Sequence, residues 1–525
     1  MKTKADLVVH DAIIYTVDKR FSVAQAFAVK DGRIIAVGTD QEIAGKYDAA
    51  KVVDAAGRAL YPGFIDAHAH FFSYGRSLQS AGLAGTKSWD EVLRRVDDFA
   101  NTNTFPWIIG RGWDQNDWPG QQFPDNSELN ARYPGIPVLL TRIDGHAAIA
   151  NQAALEAAGI SAGGDIQGGE FQTTGGKLTG LLVDNAVGLV SGKIPPLMPG
   201  QKEKCLLDAQ RNCFAAGLTT IADCGLDKVT IDLIDSLQKT GKLKMRLYVM
   251  LADDPSLYAY YLKAGPYKTD YLNVRAFKLF SDGALGSRGA CLLEPYQDRP
   301  GWNGFLLKSQ AYFDSIARLL IQSGFQMCTH AIGDAANRMI LHVYARVLKG
   351  KNDRRWRIEH AQILNPADIP LFGHYNIIPS VQPTHATSDM YWAVQRLGAD
   401  RLAGAYAVKA LMRQNAWIPL GTDFPVEDIH PMKTFYAAVT RQDSGGYPPG
   451  GFLIQNALTR EEALRGMTLW AAKAGFEEDE KGSVEPGKFA DFVILDRDIM
   501  QAPMKEVLQA KVLATFLGGE QVYGD

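Results

Sequence analysis

The chain is poor in cysteine. Its 525 residues hold five, at positions 205, 213, 224, 291 and 328. The number is odd and no two form a C-x-x-C pair, which speaks against a disulfide framework or a cysteine-rich zinc site and fits thiols in a reducing cytoplasm. There is no apolar run of the 18 residues needed to span a bilayer. The first six residues are polar, so no signal peptide is expected. Neither sign of charge is in excess: 55 Lys and Arg stand against 58 Asp and Glu. A net charge near −3 offers no field for nucleic acid or an acidic membrane. Internal repeats and low-complexity tracts are also missing. What remains, 46% hydrophobic and 22% charged residues, is globular composition and argues against wholesale disorder.

The two ends of the chain read as β. Residues 6–14 are rich in apolar side chains, and residues 25–30 and 33–38 flank Asp31-Gly32, a strong hairpin signal. Near the other end, residues 489–495 read as a strand, and 512–517 and 521–523 flank Gly518-Gly519. This pattern predicts one small β-sandwich domain assembled from residues 1–60 and 475–525. Between them, in residues 61–474, short apolar runs alternate with helix-compatible stretches. Eight runs stand out, at 63–68, 219–224, 243–251, 274–280, 326–330, 355–360, 377–382 and 417–422. Eight such units predict an α/β fold, a distorted (β/α)₈ TIM barrel. The gap after the first run is too long for one connection. Residues 80–200 are therefore expected to form an insertion, rich in Trp, Asn, Gly and Pro, that covers the active-site mouth.

The histidines fall where barrel enzymes keep their functional residues, at the C-terminal ends of strands. His68-Ala69-His70 ends the first run, His330 the fifth and His360 the sixth, and Asp423 follows the eighth. Period-two geometry puts Asp66, His68 and His70 on one face. Neutral imidazole and carboxylate suit Zn²⁺, Mn²⁺ or Fe²⁺. Ligands spread over separate strands point to a catalytic centre rather than a closed structural one. Lys278 stands in the strand-like run 274–280, where burial would favour the neutral amine. Such an amine can capture CO₂ as a carbamate; the alternative is a lysine paired with a carboxylate such as Asp282. His146, Asp282, Arg288, His385 and Trp113 are candidates for substrate contact. Trp118, Tyr296 and Trp302 could line an apolar pocket, although aromatic residues more often simply pack. His10, His342 and His374 lie outside the strand-end pattern and read as structural, and Cys328 reads as core.

Seven segments carry a family resemblance: PGFIDAHAH (62–70), DGHA (144–147), FKLFSDGALGSR (277–288), THAIGD (329–334), RIEHAQ (357–362), GTDFP (421–425) and GKFADFV (487–493). With them the chain resembles the amidohydrolase superfamily over essentially its whole length, specifically the amidohydrolase-3 or YtcJ-like branch, which contains N-substituted formamide deformylases and AepA-type regulatory proteins. The resemblance implies a binuclear centre with two Zn²⁺ per chain: one metal on His68, His70 and Asp423, the other on His330 and His360, bridged by carbamylated Lys278 and a hydroxide. It implies a metal-dependent hydrolase of C–N amide-type bonds, with an N-acyl or N-formyl amine as small-molecule substrate and Asp423 as general base, then acid. The same centre would serve a carbamate, ester or lactone. A non-catalytic regulatory or binding protein would have no reason to keep every ligand position. A homodimer is left open.

Overall fold

The computed structural model describes residues 2–102, 106–162, 164 and 166–524. It is an α/β protein with three sheets. The first joins both ends of the chain. The strand Tyr47–Pro62 lies parallel to Thr3–Tyr15 and antiparallel to Phe492–Leu495. Outside these run the hairpins Ala26–Lys30/Arg33–Gly38 and Val512–Leu517/Glu520–Tyr523. Alternate residues of the strands meet on one face, where Leu7, Val9, Phe27, Val29, Leu60 and Phe492 share a core. Phe492 stacks on Phe516 at 4.3 Å and meets the edge of Phe27 at 5.1 Å.

The barrel strands follow in chain order: Phe64–Ala69, Leu218–Leu226, Arg246–Leu251, Leu272–Phe280, Gln326–Ala331, Arg357–His360 and Ile378–Ser380. All pair in parallel with their neighbours. The eighth expected run, 417–422, closes the ring without a regular ladder. It makes one bridge just past the seventh strand, Val381 to Leu420, and one backbone hydrogen bond to the first, from Ala67 N to Leu420 O at 3.1 Å. Pro419 and Pro379 have no N–H to donate across the seam between the seventh and eighth segments, and on the other side Leu420 N donates to Gly466 O at 3.0 Å rather than to the first strand.

The seam beyond it is tight. Asp423 N donates to His68 O at 2.8 Å, and a Cβ added at Gly421 would lie 2.7 Å from His68 N and 2.9 Å from His68 O. Gly421→Ala must therefore push the first strand away from the segment that carries Asp423. The expected cost is about 1–3 kcal/mol, as for other overpacked core sites. It would be read as a lowered thermal midpoint together with weakened metal retention; an unchanged midpoint would show that the seam can spread.

Between the first and second barrel strands the chain builds its third sheet, in the order Gly169–Thr174, Lys177–Asp184, Ala147–Ala150, Val138–Arg142, Ile108–Trp113, Ala81–Gly82. Period two divides its central strands between two apolar clusters. Ile108, Val138, Leu140 and Ile149 pack with Trp113, Trp118 and Leu129; Leu139, Ala148 and Ala150 face the opposite way. Among the described residues no helix is long and apolar enough to cross a membrane. The five cysteines are free.

Candidate active site

The C-terminal ends of the barrel strands and the loops of the third sheet enclose a cavity of about 440 Å³. His70, Lys278, His330, His360, His385 and Asp423 line it from the barrel side, and Arg111, Asp114, Arg142, Asp144 and His146 from the inserted sheet. His68 lies just beneath, fully buried. Among the described residues, His68, His360 and Asp423 form one cluster whose donor atoms all lie within 4.8 Å of one another. Asp423 Oδ1 is 3.2 Å from His70 Nε2 and 3.4 Å from His68 Nε2. The His330 ring lies 4.7 Å from that of His360. The tightest grouping thus combines residues expected on two different metals.

Each imidazole is oriented by a second contact, as metal-binding histidines usually are. His68 Nδ1 is 2.5 Å from Glu359 Oε2, which turns Nε2 to the cavity. His70 Nδ1 is 3.2 Å from Cys224 O, and His360 Nδ1 is 2.8 Å from Gln382 Oε1. His330 differs: its Nε2 lies 3.4 Å from Gly283 O and 3.6 Å from Asp282 Oδ1. Burial, reinforced by neighbouring imidazoles and Lys278, pushes His330 and His360 well below the usual imidazole range, so both are neutral with lone pairs free. Burial alone would raise the Asp423 carboxyl, but contacts with His68 and His70 outweigh it and hold it well below the carboxylate range. Its Oδ1 is nonetheless buried with no satisfied hydrogen bond, and so is His385 Nε2, 3.7 Å from Asp423 Oδ2. Two buried polar atoms without partners, in one cavity with the neutral imidazoles of His330 and His360, fit a metal-binding centre.

Lys278 Nζ lies 3.1 Å from His68 Nε2 and 4.8 Å from the Phe280 ring. It makes no ion pair with Asp282. That carboxylate instead accepts the backbone N–H groups of Cys291, Ile332 and Gly333 at 2.8–3.0 Å, tying the fourth-strand loop to the fifth. Burial pushes the Asp282 carboxyl up to about 7 despite those bonds.

Of the substrate candidates, His146 and His385 line the cavity, and Asp282, Arg288 and Trp113 do not. His146 is held by Asp184 at 2.6 Å and stands 4.9 Å from the His330 ring. Burial would lower its pKa, but Asp184 and the nearby carboxylates outweigh this and raise it. The structure gives three of these residues partners away from the cavity. Asp282 spends its oxygens on backbone amides. Arg288 is bound by Asp298 through two hydrogen bonds, at 2.8 and 3.2 Å. Trp113 is fully buried in the inserted sheet's core and donates to Leu140 O at 2.7 Å. Trp118, Tyr296 and Trp302 also bond to backbone carbonyls away from the cavity. Glu359, Arg111, the Arg142–Asp114–Asp144 cluster, Asp389 and Glu427 were not singled out from sequence. A faint signal existed for the first, inside RIEHAQ, and for Asp144, inside DGHA.

A family model described as "Amidohydrolase family" matches residues 51–523. Protein LONG AFTER FAR-RED 3 of Arabidopsis thaliana is 34% identical, the match covering 99% of this chain and 92% of the plant protein. An N-substituted formamide deformylase of Arthrobacter pascens is 27% identical, with 99% and 98% covered. The crystal structure of an uncharacterized metal-dependent hydrolase from Pyrococcus horikoshii superposes with a TM-score of 0.76 at 26% identity, covering 95% of this chain and 99% of that one. Strand-end histidines, a buried carboxylate beside them and similarity along the whole length agree: the chain belongs to the amidohydrolase family.

Proposed function

We propose that the protein hydrolyses the C–N bond of an N-acyl or N-formyl amine. Divalent metal, two Zn²⁺ or their Mn²⁺ or Fe²⁺ counterparts, would be held by His68, His70, His330, His360 and Asp423, with Lys278 joining them as a carbamate. Such metal would supply a Lewis acid for the amide carbonyl and a water whose pKa is brought toward about 7. The observation that carries this reading is the convergence of His68, His360 and Asp423 on one point of a strand-end cavity. The deformylase relative supports the bond type.

The chain's own residues supply the rest. Asp423 is ionised and buried at the cavity floor, able to take a proton from the attacking water and return it to the leaving nitrogen. Glu359 and Gln382 fix the orientation of His68 and His360. Among the described residues Lys278 makes no ion pair with a carboxylate, so no salt bridge would have to break for its amine to take up CO₂.

The test is elemental analysis of protein purified without chelator and in bicarbonate, together with an assay for amine release. About two first-row metals per chain are expected, as in two-metal hydrolases, falling toward one or none in Lys278→Ala. One metal in both proteins would reduce Lys278 to a structural residue. No metal even after reconstitution would overturn the hydrolase reading.

A further inference from the structure

A second cavity, also of about 440 Å³, lies against the first. The two share Ser73 and Arg111 in their walls, so these side chains form the threshold between them. Beyond the threshold Trp107, Ile109, Leu139, Val187, Ile194 and Leu197 form an apolar wall, while Arg76, Gln79, Gln201 and Lys204 stand among the polar residues of the same cavity. The sheet geometry explains the apolar wall. Ile109 and Arg111 share one face of the strand Ile108–Trp113, and Leu139 shares the corresponding face of Val138–Arg142, opposite the face that packs on Trp113.

Arg111 is unusual among the charges here. Its neighbour Arg142 is neutralised by both Asp114 and Asp144. Arg111 has no carboxylate within ion-pair distance among the described residues. Its guanidinium donates from Nη2 to Ile143 O at 3.1 Å, and its Nε is buried without a partner among the described residues. A half-buried guanidinium with no carboxylate beside it is placed to meet an anion or a carbonyl oxygen. Asp389 and Glu427 line the reaction cavity but not the second one, and among the described residues neither has an arginine or lysine within ion-pair distance; burial pushes both carboxyls up, Glu427 to about 7.

From this asymmetry we infer that the acyl half of the substrate points through the Ser73–Arg111 threshold. A medium-chain hydrocarbon tail would occupy the apolar chamber, and the amine half would face Asp389 and Glu427. The inference rests on the hydrolase reading and gives it a direction. Hydrolysis adds water across the C–N bond, so the products are a carboxylate and an amine that takes up a proton. The carboxylate would form beside the unpaired cation and the ammonium beside the carboxylates. The chamber and the charges then select fatty N-acyl amines over short ones.

The test is calorimetric binding of octanoate, butyrate and octylamine to the metal-loaded protein. Octanoate is expected to bind most tightly. Arg111→Gln should weaken it by about tenfold or more, the loss of a charge-assisted hydrogen bond. Ile109→Trp, which fills the chamber, should abolish it, and Val187→Trp does the same from another wall should the first variant misfold. Octanoate binding no better than butyrate, octylamine binding as tightly as octanoate, or indifference to both tryptophans would each overturn the inference. Failure of the hydrolase reading looks different: octanoate would bind as expected while N-octanoyl amines went uncleaved.

Discussion

Asp423→Asn is expected to lower amide turnover by about 10²–10⁴-fold, the usual contribution of a positioned acid–base group, while leaving most of the bound metal in place. The substitution keeps the shape of the side chain and one oxygen, so the contacts to His68 and His70 at 3.4 and 3.2 Å can persist. What it removes is the negative oxygen that accepts a proton. The measurement pairs steady-state kinetics with metal content and thermal midpoint on the same preparation. A fall in turnover with metal and midpoint preserved assigns the loss to proton transfer. A parallel loss of metal would make Asp423 chiefly a ligand. Wild-type turnover would remove it from the chemistry. An ester of the same acyl group sharpens the test, because an alkoxide needs less help to leave than an amine. The amide should therefore suffer more than the ester.

Much of this centre could be read before any coordinates, for a physical reason. A barrel strand alternates its faces with period two and ends at the active-site mouth, so a histidine at a strand end is placed by its position in the sequence. His68, His330 and His360 needed only the strands to be recognised, and Lys278 followed from lying inside one. The eighth run was visible as apolar sequence, yet Pro419 denies it a ladder, and pattern alone does not report hydrogen bonds. Loop residues were harder. Arg288 and Asp282 follow Lys278 as closely as any ligand follows its strand, but which way a loop side chain turns depends on partners far away in the chain: Asp298 for one, the amides of Ile332 and Gly333 for the other. Trp113 lies on a strand of the inserted sheet, and its face follows from the neighbours Val138–Arg142, a pairing across unlike segments that no periodicity reveals. For the same reason Arg111, two residues away, was passed over.

The residue behind His68 carries the other large expectation. Glu359 is fully buried between His68 and Arg357, whose Nε lies 2.7 Å from Glu359 Oε1. Burial alone would raise its carboxyl, but Arg357 and His68 outweigh it and keep it ionised. Arg357 also donates to Ala67 O at 2.5 Å and to Ser380 Oγ at 2.7 Å, linking the sixth strand to the seventh and the first. Glu359→Leu leaves a buried guanidinium without its counter-charge, and the expected cost is about 3–5 kcal/mol in denaturant unfolding. It also leaves His68 Nδ1–H without an acceptor, which should weaken metal binding by about 10–100-fold. The two effects are separable. In the double variant Arg357→Leu/Glu359→Leu the uncompensated charge is gone, and replacing a buried pair by apolar side chains is often close to neutral. Stability should then recover in large part while metal affinity stays low, since the imidazole still has nothing to orient it. Recovery of both would make Glu359 merely Arg357's counter-ion. Recovery of neither would mean that the hydrogen bonds of Arg357 to Ala67 and Ser380, rather than its charge, hold these three strands together.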